Sequence, residues 1–237
     1  MSAVLRDPQS FDHLPARYDR ISELLGAELR AWILFHLPTR GGRAADLGCG
    51  TGVHTDLLAQ RYAEVIAVDL SAPMVEHARR RRPQPNVSYR HGDLRNVTPG
   101  EEGLFDLVFS AYTLHHVTEL HSALHRIRSL VRPGGQVLLV DLVDERRPVP
   151  RSWFRAEAWR TFGADLRHRR RPVAEAVELL RLQLDQDWLD HQTTDQLCSV
   201  EDWDQYCRGV FPGAAITPLH RARGLSWTAG AALGPPR

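Results

Sequence analysis

Two spacings of apolar residues alternate along this chain, and together they predict alternating helices and buried strands. Ile21, Leu24, Leu25, Leu29, Trp32 and Ile33 recur at helical spacing, so 18–36 reads as one amphipathic helix, stopped by Pro38 and Gly41-Gly42. Then come short apolar runs of the kind that fill a sheet covered on both faces. Strands are expected at 43–48, 64–70, 86–90, 104–110 and 136–141, with helices at 53–61, 74–82 and 117–131 between them. Ser71 is placed to cap the second of these helices, with Pro73 in its first turn. The turn Pro133-Gly134-Gly135 separates the third helix from the fifth strand. Right-handed crossovers then give an α/β fold with a doubly wound, mostly parallel, Rossmann-like sheet.

The alternation stops after Val143. Residues 144–192 show no strand pattern; Val173, Val177, Leu180, Leu184 and Trp188 form a helical stripe behind the aromatic cluster Trp153, Phe154, Trp159 and Phe162. This reads as a helical lid inserted in the sheet domain. Strand-like text returns at 214–219 and 224–228, which would pair as the last two of seven strands, and 230–237 reads as a frayed end. The expected division is a helical cap (1–42), a core (43–143 and 193–230) and the lid (144–192).

Composition narrows the function. A length of 237 residues allows one ordinary domain with an insertion. The formal net charge of +1 supplies no global field for nucleic acid or a membrane surface. Every basic side chain is Arg, so an anion would be met by guanidinium groups or backbone amides. Cys49, Cys198 and Cys207 lack the paired spacing of a disulfide framework or zinc site, and no metal is expected. The first residues contain no apolar leader, and no run of 18 apolar residues occurs, so a cytoplasmic protein is expected.

The informative segment is Asp46-Leu47-Gly48-Cys49-Gly50-Thr51-Gly52, where the first strand runs into a glycine loop. Open parallel sheets bind ligands beyond the carboxyl ends of their strands. Gly48, Gly50 and Gly52 allow a tight turn and close approach of backbone amides. The spacing is Gly-x-Gly-x-Gly, not the Gly-x-Gly-x-x-Gly of dinucleotide sites. Asp46 beside it would repel a pyrophosphate and suits a cationic ligand. Asp69, ending the second strand, can accept two ribose hydroxyls. Leu70 and Met74 can pack on the sugar and base, and Asp93, after the third strand, can accept adenine amino hydrogens.

Ala45 to Gly52, Val65 to Leu70, Gly92-Asp93, Phe105 to His116 and Pro133-Gly134-Gly135 together resemble class I S-adenosylmethionine-dependent methyltransferases. The resemblance runs over 11–141 and more faintly over 211–228. It is greatest to the small-molecule branch of ubiquinone/menaquinone methyltransferases and natural-product tailoring enzymes. It implies S-adenosylmethionine as methyl donor and S-adenosylhomocysteine as product. It implies Gly48 and Gly50 at the methionine side, Asp69 at the ribose and Asp93 at the adenine. Leu94 and Ser110 complete the expected contacts. Tyr18, in Arg17-Tyr18-Asp19, would close over the methionine end, and the lid would cover the acceptor.

Methyl transfer from an activated sulfonium asks the protein mainly for orientation. A hydroxyl acceptor also gains from a general base. His115, in Ser110-Ala111-Tyr112-Thr113-Leu114-His115-His116, is the favoured base, with a link to Tyr18 as a latch. His168 and His191 read as surface histidines. The arginine runs 79–82 and 167–171 read as solvated helix ends, the second with an alternative role as an anion clamp. The expected partner is a small, aromatic or apolar acceptor taken by a monomer or homodimer, with O-, N- or C-methylation open. A nucleic-acid or protein methyltransferase is the alternative, against which stand the near-neutral charge and the lack of an Asn-Pro-Pro-Tyr motif. Use of the cofactor for cyclisation or decarboxylation would leave the same motifs.

Overall fold

The computed structural model describes residues 12–144, 149–194 and 197–230. Most of the expected frayed end therefore lies outside the described residues. Helices α1 (Pro15–Leu25) and α2 (Ala27–His36) precede β1 (Gly41–Leu47). Then follow α3 (Thr55–Ala59), β2 (Tyr62–Asp69), α4 (Ala72–Arg81) and β3 (Val87–His91). The short α5 (Pro99–Glu102) leads to β4 (Phe105–Ala111), α6 (Leu120–Ser129) and β5 (Val131–Leu142). Helices α7 (Arg151–His168), α8 (Val173–Leu184), α9 (Gln186–Thr194) and α10 (Val200–Val210) come next, before β6 (Ala215–Leu219) and β7 (Ala222–Thr228).

The seven strands form one sheet in the order β3-β2-β1-β4-β5-β7-β6. β1 to β5 pair in parallel, while β7 runs antiparallel to both β5 and β6. This is the expected doubly wound sheet. Its order reverses between β1 and β4, which places a ligand crevice beyond the carboxyl ends of those strands. Leu47, Val108 and Leu139 belong to the core on one face, which α6 and α10 cover; Ala44, Phe109 and Leu138 face α2 and α3 on the other.

Three local expectations are corrected. The single helix over 18–36 is two, because the chain turns at Gly26, where a Cβ would lie 2.4 Å from the Ser22 carbonyl oxygen. The apolar stripe reports which face is buried and says nothing of continuity. The helix expected at 117–131 is a 3-10 turn at Leu114–His116 followed by α6, and Val131 already belongs to β5. The turn Pro133-Gly134-Gly135 is an irregularity inside β5: Phe105 pairs with Val131, and the ladder resumes with Leu107 opposite Gln136. Gly134, at φ 78°, supplies the backbone this needs.

Helix α10 was not expected. Its signal was present: Ser199 caps it by accepting from Asp202 N at 3.0 Å, Glu201 and Asp202 sit in its first turn, and Trp203, Cys207 and Val210 share its buried face. Helices α7 and α8 fall within the run 144–192 read as a lid, and α9 runs two residues past it. They meet the amino-terminal helix, where Leu14, Ile21, Leu179 and Trp188 bury together and Arg20 donates to Glu178 at 2.9 Å. Among the described residues no helix is long and apolar enough to cross a membrane.

Candidate active site

The loop between β1 and α3 takes the conformation that only glycine accepts cheaply. Gly48 and Gly50 have φ of 78° and 51°, and a Cβ on Gly48 would lie 2.2 Å from the Thr113 side chain. The loop is held against β2 by backbone donation from Gly48 and Cys49 to the Val68 carbonyl, at 2.7 and 3.1 Å. One oxygen of Asp69 accepts from Gly50 N at 2.7 Å, and the other accepts from Ser71 N at 2.9 Å. Burial pushes the Asp69 carboxyl up, and the two amides oppose that shift. Asp69 thus joins the two strand-end loops and still has lone pairs for a ligand.

These groups line a cleft of about 340 Å³. Tyr18, Gly48, Gly50, Asp69, Leu70, Met74, Asp93 and Leu94 all border it. The Asp93 carboxylate also accepts from the Arg95 backbone and guanidinium, and Arg95 holds it below the usual carboxylate range. It is therefore an anion and an acceptor at neutral pH. Tyr18, in contrast, is pushed up by burial and by Tyr112 and Asp69, so its phenol stays protonated and acts as a donor rather than a base.

Three expected contacts stand behind the cleft instead of on it. Asp46 is 1% exposed and accepts from Thr55 Oγ1 at 2.6 Å, which fastens α3 to the end of β1. Ser110, equally buried, donates from Oγ to the Leu47 carbonyl at 2.7 Å and ties β4 to β1. Gly52 makes room for Tyr89, whose hydroxyl would sit 2.8 Å from an added Cβ. For Asp46 and Ser110 the physical reason is that side chains alternate across a strand, so neighbours in a motif face opposite ways.

Burial, with a smaller contribution from Asp69, raises the Asp46 carboxyl to about 7, while Thr55 opposes the shift. A carboxyl raised on folding stabilises the fold fully below its unfolded value of 3.8, and that contribution is lost as pH rises through about 7. Asp46→Asn should flatten the stability curve between pH 4 and 7, by roughly 4 kcal/mol at most. Denaturant melts at pH 5 and pH 7.5 check this; parallel pH dependence in both proteins would contradict it.

A second cavity, of about 250 Å³, adjoins the first. Tyr18, Tyr112 and His116 border both. Tyr112 has φ 55°, a left-handed conformation costly for a bulky residue and typical of positions where geometry is held for function. The second cavity is also lined by Trp188, His54, His115 and His191, with Glu28 and Glu157 on its wall. His115 is buried, and its Nδ1 lies 2.5 Å from Asp141 Oδ1 at the end of β5.

His191 corrects the sequence reading, which placed it on the surface. It is 7% exposed, packs between Trp188 and His116, and is pushed down to about 4 by burial and by His115. Burial and nearby arginines push His54 to about 4 as well. Both imidazoles are neutral at physiological pH. Of the helical stripe, Trp188 lines this cavity, whereas in the aromatic cluster before it Trp159 is exposed and Trp153 packs against the Arg221 guanidinium.

The arginine runs are partly structural. Arg82 pairs with the buried Asp19 at 2.7 Å and donates to the Thr51 carbonyl at 3.0 Å. Arg171 pairs with Asp165 at 2.8 Å and donates to the Leu24 carbonyl at 2.7 Å, so it ties α7 to α1 rather than clamping an anion.

Residues 45–139 match the family described as "Methyltransferase domain". A cypemycin N-terminal methyltransferase of Streptomyces is 35% identical over 142 residues, 57% of either chain. A demethylmenaquinone methyltransferase of Beutenbergia cavernae is 29% identical over 231 residues, 91% of this chain and 90% of that one. The segment 45–139 is thus similar to the methyltransferase domains of these relatives. The chain spans about half the length of most of the curated methyltransferases it matches. The methyltransferase fold is also that of the solved DhpI-SAH complex, with a TM-score of 0.65 at 22% identity over 98% of this chain and all of that one.

Proposed function

We propose that the protein transfers the methyl group of S-adenosylmethionine to a small organic acceptor in the second cavity. The observation that carries this is the shared wall: a cleft at the switch point of the sheet and an aromatic, polar cavity meet at Tyr18, Tyr112 and His116. The Gly48 and Gly50 backbone lining the cleft, the Asp69 carboxylate and the anionic Asp93 fit an adenosyl group carrying a positive charge. When bound, that group supplies an electrophilic methyl on sulfur. Gly48 and Gly50 would hold its methionine end, Asp69 its ribose, Asp93 and Leu94 its adenine, and Met74 its apolar face. Tyr18 would cover the sulfur end as a neutral donor.

The protein's own contribution is then alignment and exclusion of water by α1 and by α7 to α9. The relatives' names, one for an N-terminus and one for a quinone precursor, support methylation in bacterial secondary or quinone-type metabolism. Calorimetry should show binding of S-adenosylmethionine, and incubation with labelled donor and small-molecule extract of the source organism should label a compound. Failure to bind the donor, or binding with no label transferred to any component, would overturn the proposal.

A further inference from the structure

We propose that His121 and His125 chelate a divalent transition-metal ion of tetragonal preference, copper(II) before nickel(II). Both stand on α6, and neither borders the donor cleft or the second cavity, so the site does not depend on the methyl-transfer reading.

Residues four apart share one face of a helix. Ala123, Leu124 and Ile127 form the buried face of α6, while His121 and His125 are exposed. Their ring centroids are 4.5 Å apart and the rings are inclined at 70°. An imidazole nitrogen binds such an ion at ~2.0–2.1 Å, which puts each ring centroid about 3.2 Å from it. Two centroids at that radius and 4.5 Å apart subtend about 90° at the ion. That is the cis angle of square-planar or tetragonal coordination, the geometry of copper(II) and nickel(II). A tetrahedral zinc ion would need the centroids about 5.2 Å apart.

The rings are not committed elsewhere. Among the described residues neither His121 nor His125 makes a hydrogen bond or an ion pair; their contacts are with each other and, for His121, with Tyr206. An edge-to-face contact alone gains most where it buries ring surface, and these two rings lie in solvent. Arg128, three residues beyond His125, is turned away: it donates to the Val210 carbonyl at 2.7 Å and lies over the Trp227 ring at 5.5 Å. His121 opens on a groove of about 410 Å³ whose wall also carries Glu119, Ser122 and Tyr206. The Glu119 carboxylate there favours a cation over an anion. Among the described residues no group of three or more metal-binding side chains forms a cage. The ion is therefore held at two points, with water in its other positions, and exchanges readily.

The test titrates the chlorides of copper(II), nickel(II) and zinc into the full chain by calorimetry, in a buffer that does not bind metals. Copper should bind most tightly, and nickel should follow. His121→Asn and His125→Asn should each weaken copper binding by roughly 100-fold, because the second imidazole binds at the high local concentration set by the first. His168→Asn, at an exposed histidine on another helix, should change nothing. Electron paramagnetic resonance of the copper complex should show two coupled imidazole nitrogens in the wild type and one in each α6 variant. Nickel at a hundredfold excess over its Kd should raise the melting point of the wild type by ~5 °C or more and leave both α6 variants unmoved. The exposed positions of both side chains mean that the metal-free variants should melt with the wild type, and that measurement separates lost chelation from lost fold. No saturable copper binding, equal affinity in either α6 variant, a loss in only one of them, or zinc bound more tightly than copper would overturn the chelate.

Discussion

Asp69→Ala should weaken binding of S-adenosylmethionine by roughly 10³-fold, the sum of two charge-assisted hydrogen bonds worth about 1.5–3 kcal/mol each. The carboxylate does two things at once. Its oxygens accept from Gly50 N and Ser71 N, so they hold the glycine loop and the start of α4 in register. Their remaining lone pairs face the cleft, where a ribose would lie. The alanine variant leaves both amides seeking other partners and removes the acceptor. Asp69→Asn, which keeps one acceptor oxygen, should fall between. Comparing S-adenosylhomocysteine with its 2′,3′-dideoxy analogue separates the two roles. Wild-type protein should prefer the hydroxylated ligand strongly, and the alanine variant should not distinguish them. Unchanged donor affinity in Asp69→Ala would sink the ribose assignment, and an undiminished preference in the variant would reduce Asp69 to loop support.

Asp69 was legible in the sequence because three constraints coincide on it: the end of an apolar run, a cap residue two positions later, and a glycine loop at the preceding strand end. The strands were legible for a similar reason. A sheet buried on both faces demands continuous apolar text, and the short, β-branched or aromatic runs 65–68 and 107–109 fit it. What the text does not carry is side-chain direction around a loop. Asp46, Gly52 and Ser110 belong to the same motifs as Gly48 and Asp69, yet each serves the packing behind the cleft. His191 was misread because its burial depends on α9 docking against α1 and on His116, contacts between segments far apart in sequence. The pairing of His115 with Asp141 was invisible for the same reason: it is made by the β4–β5 register, not by spacing along the chain. Arg82 sat in a run of four arginines, and only the fold distinguishes the buried one from its exposed neighbours.

Asp19→Ala should lower stability by about 3–5 kcal/mol, the usual cost of removing one partner from a buried ion pair. Asp19 is 4% exposed, on the buried face of α1. One oxygen pairs with Arg82 at 2.7 Å and accepts from Thr51 Oγ1 at 2.9 Å; the other faces His77 at 3.2 Å. Alanine would leave the Arg82 guanidinium, only 11% exposed, without its closest counter-ion and the fully buried Thr51 hydroxyl without its acceptor. At about 2–4 °C per kcal/mol for a chain of this size, the melting point should fall by roughly 10 °C. Asp19→Leu with Arg82→Met should recover part of that loss, because two apolar replacements leave no charge buried. A single variant melting within 2 °C of wild type would contradict the ion-pair account. The consequence reaches the cofactor through sequence adjacency. Asp19 follows Tyr18, which borders both cavities, and Thr51 lies in the glycine loop, so this one carboxylate locks the covering helix onto the loop it covers. Its loss should therefore speed dissociation of S-adenosylmethionine more than it slows association, since covering residues are engaged only after the ligand has entered. Stopped-flow exchange of the bound donor at a temperature where the variant is fully folded would measure that difference, and an unchanged dissociation rate would separate the lock from the site.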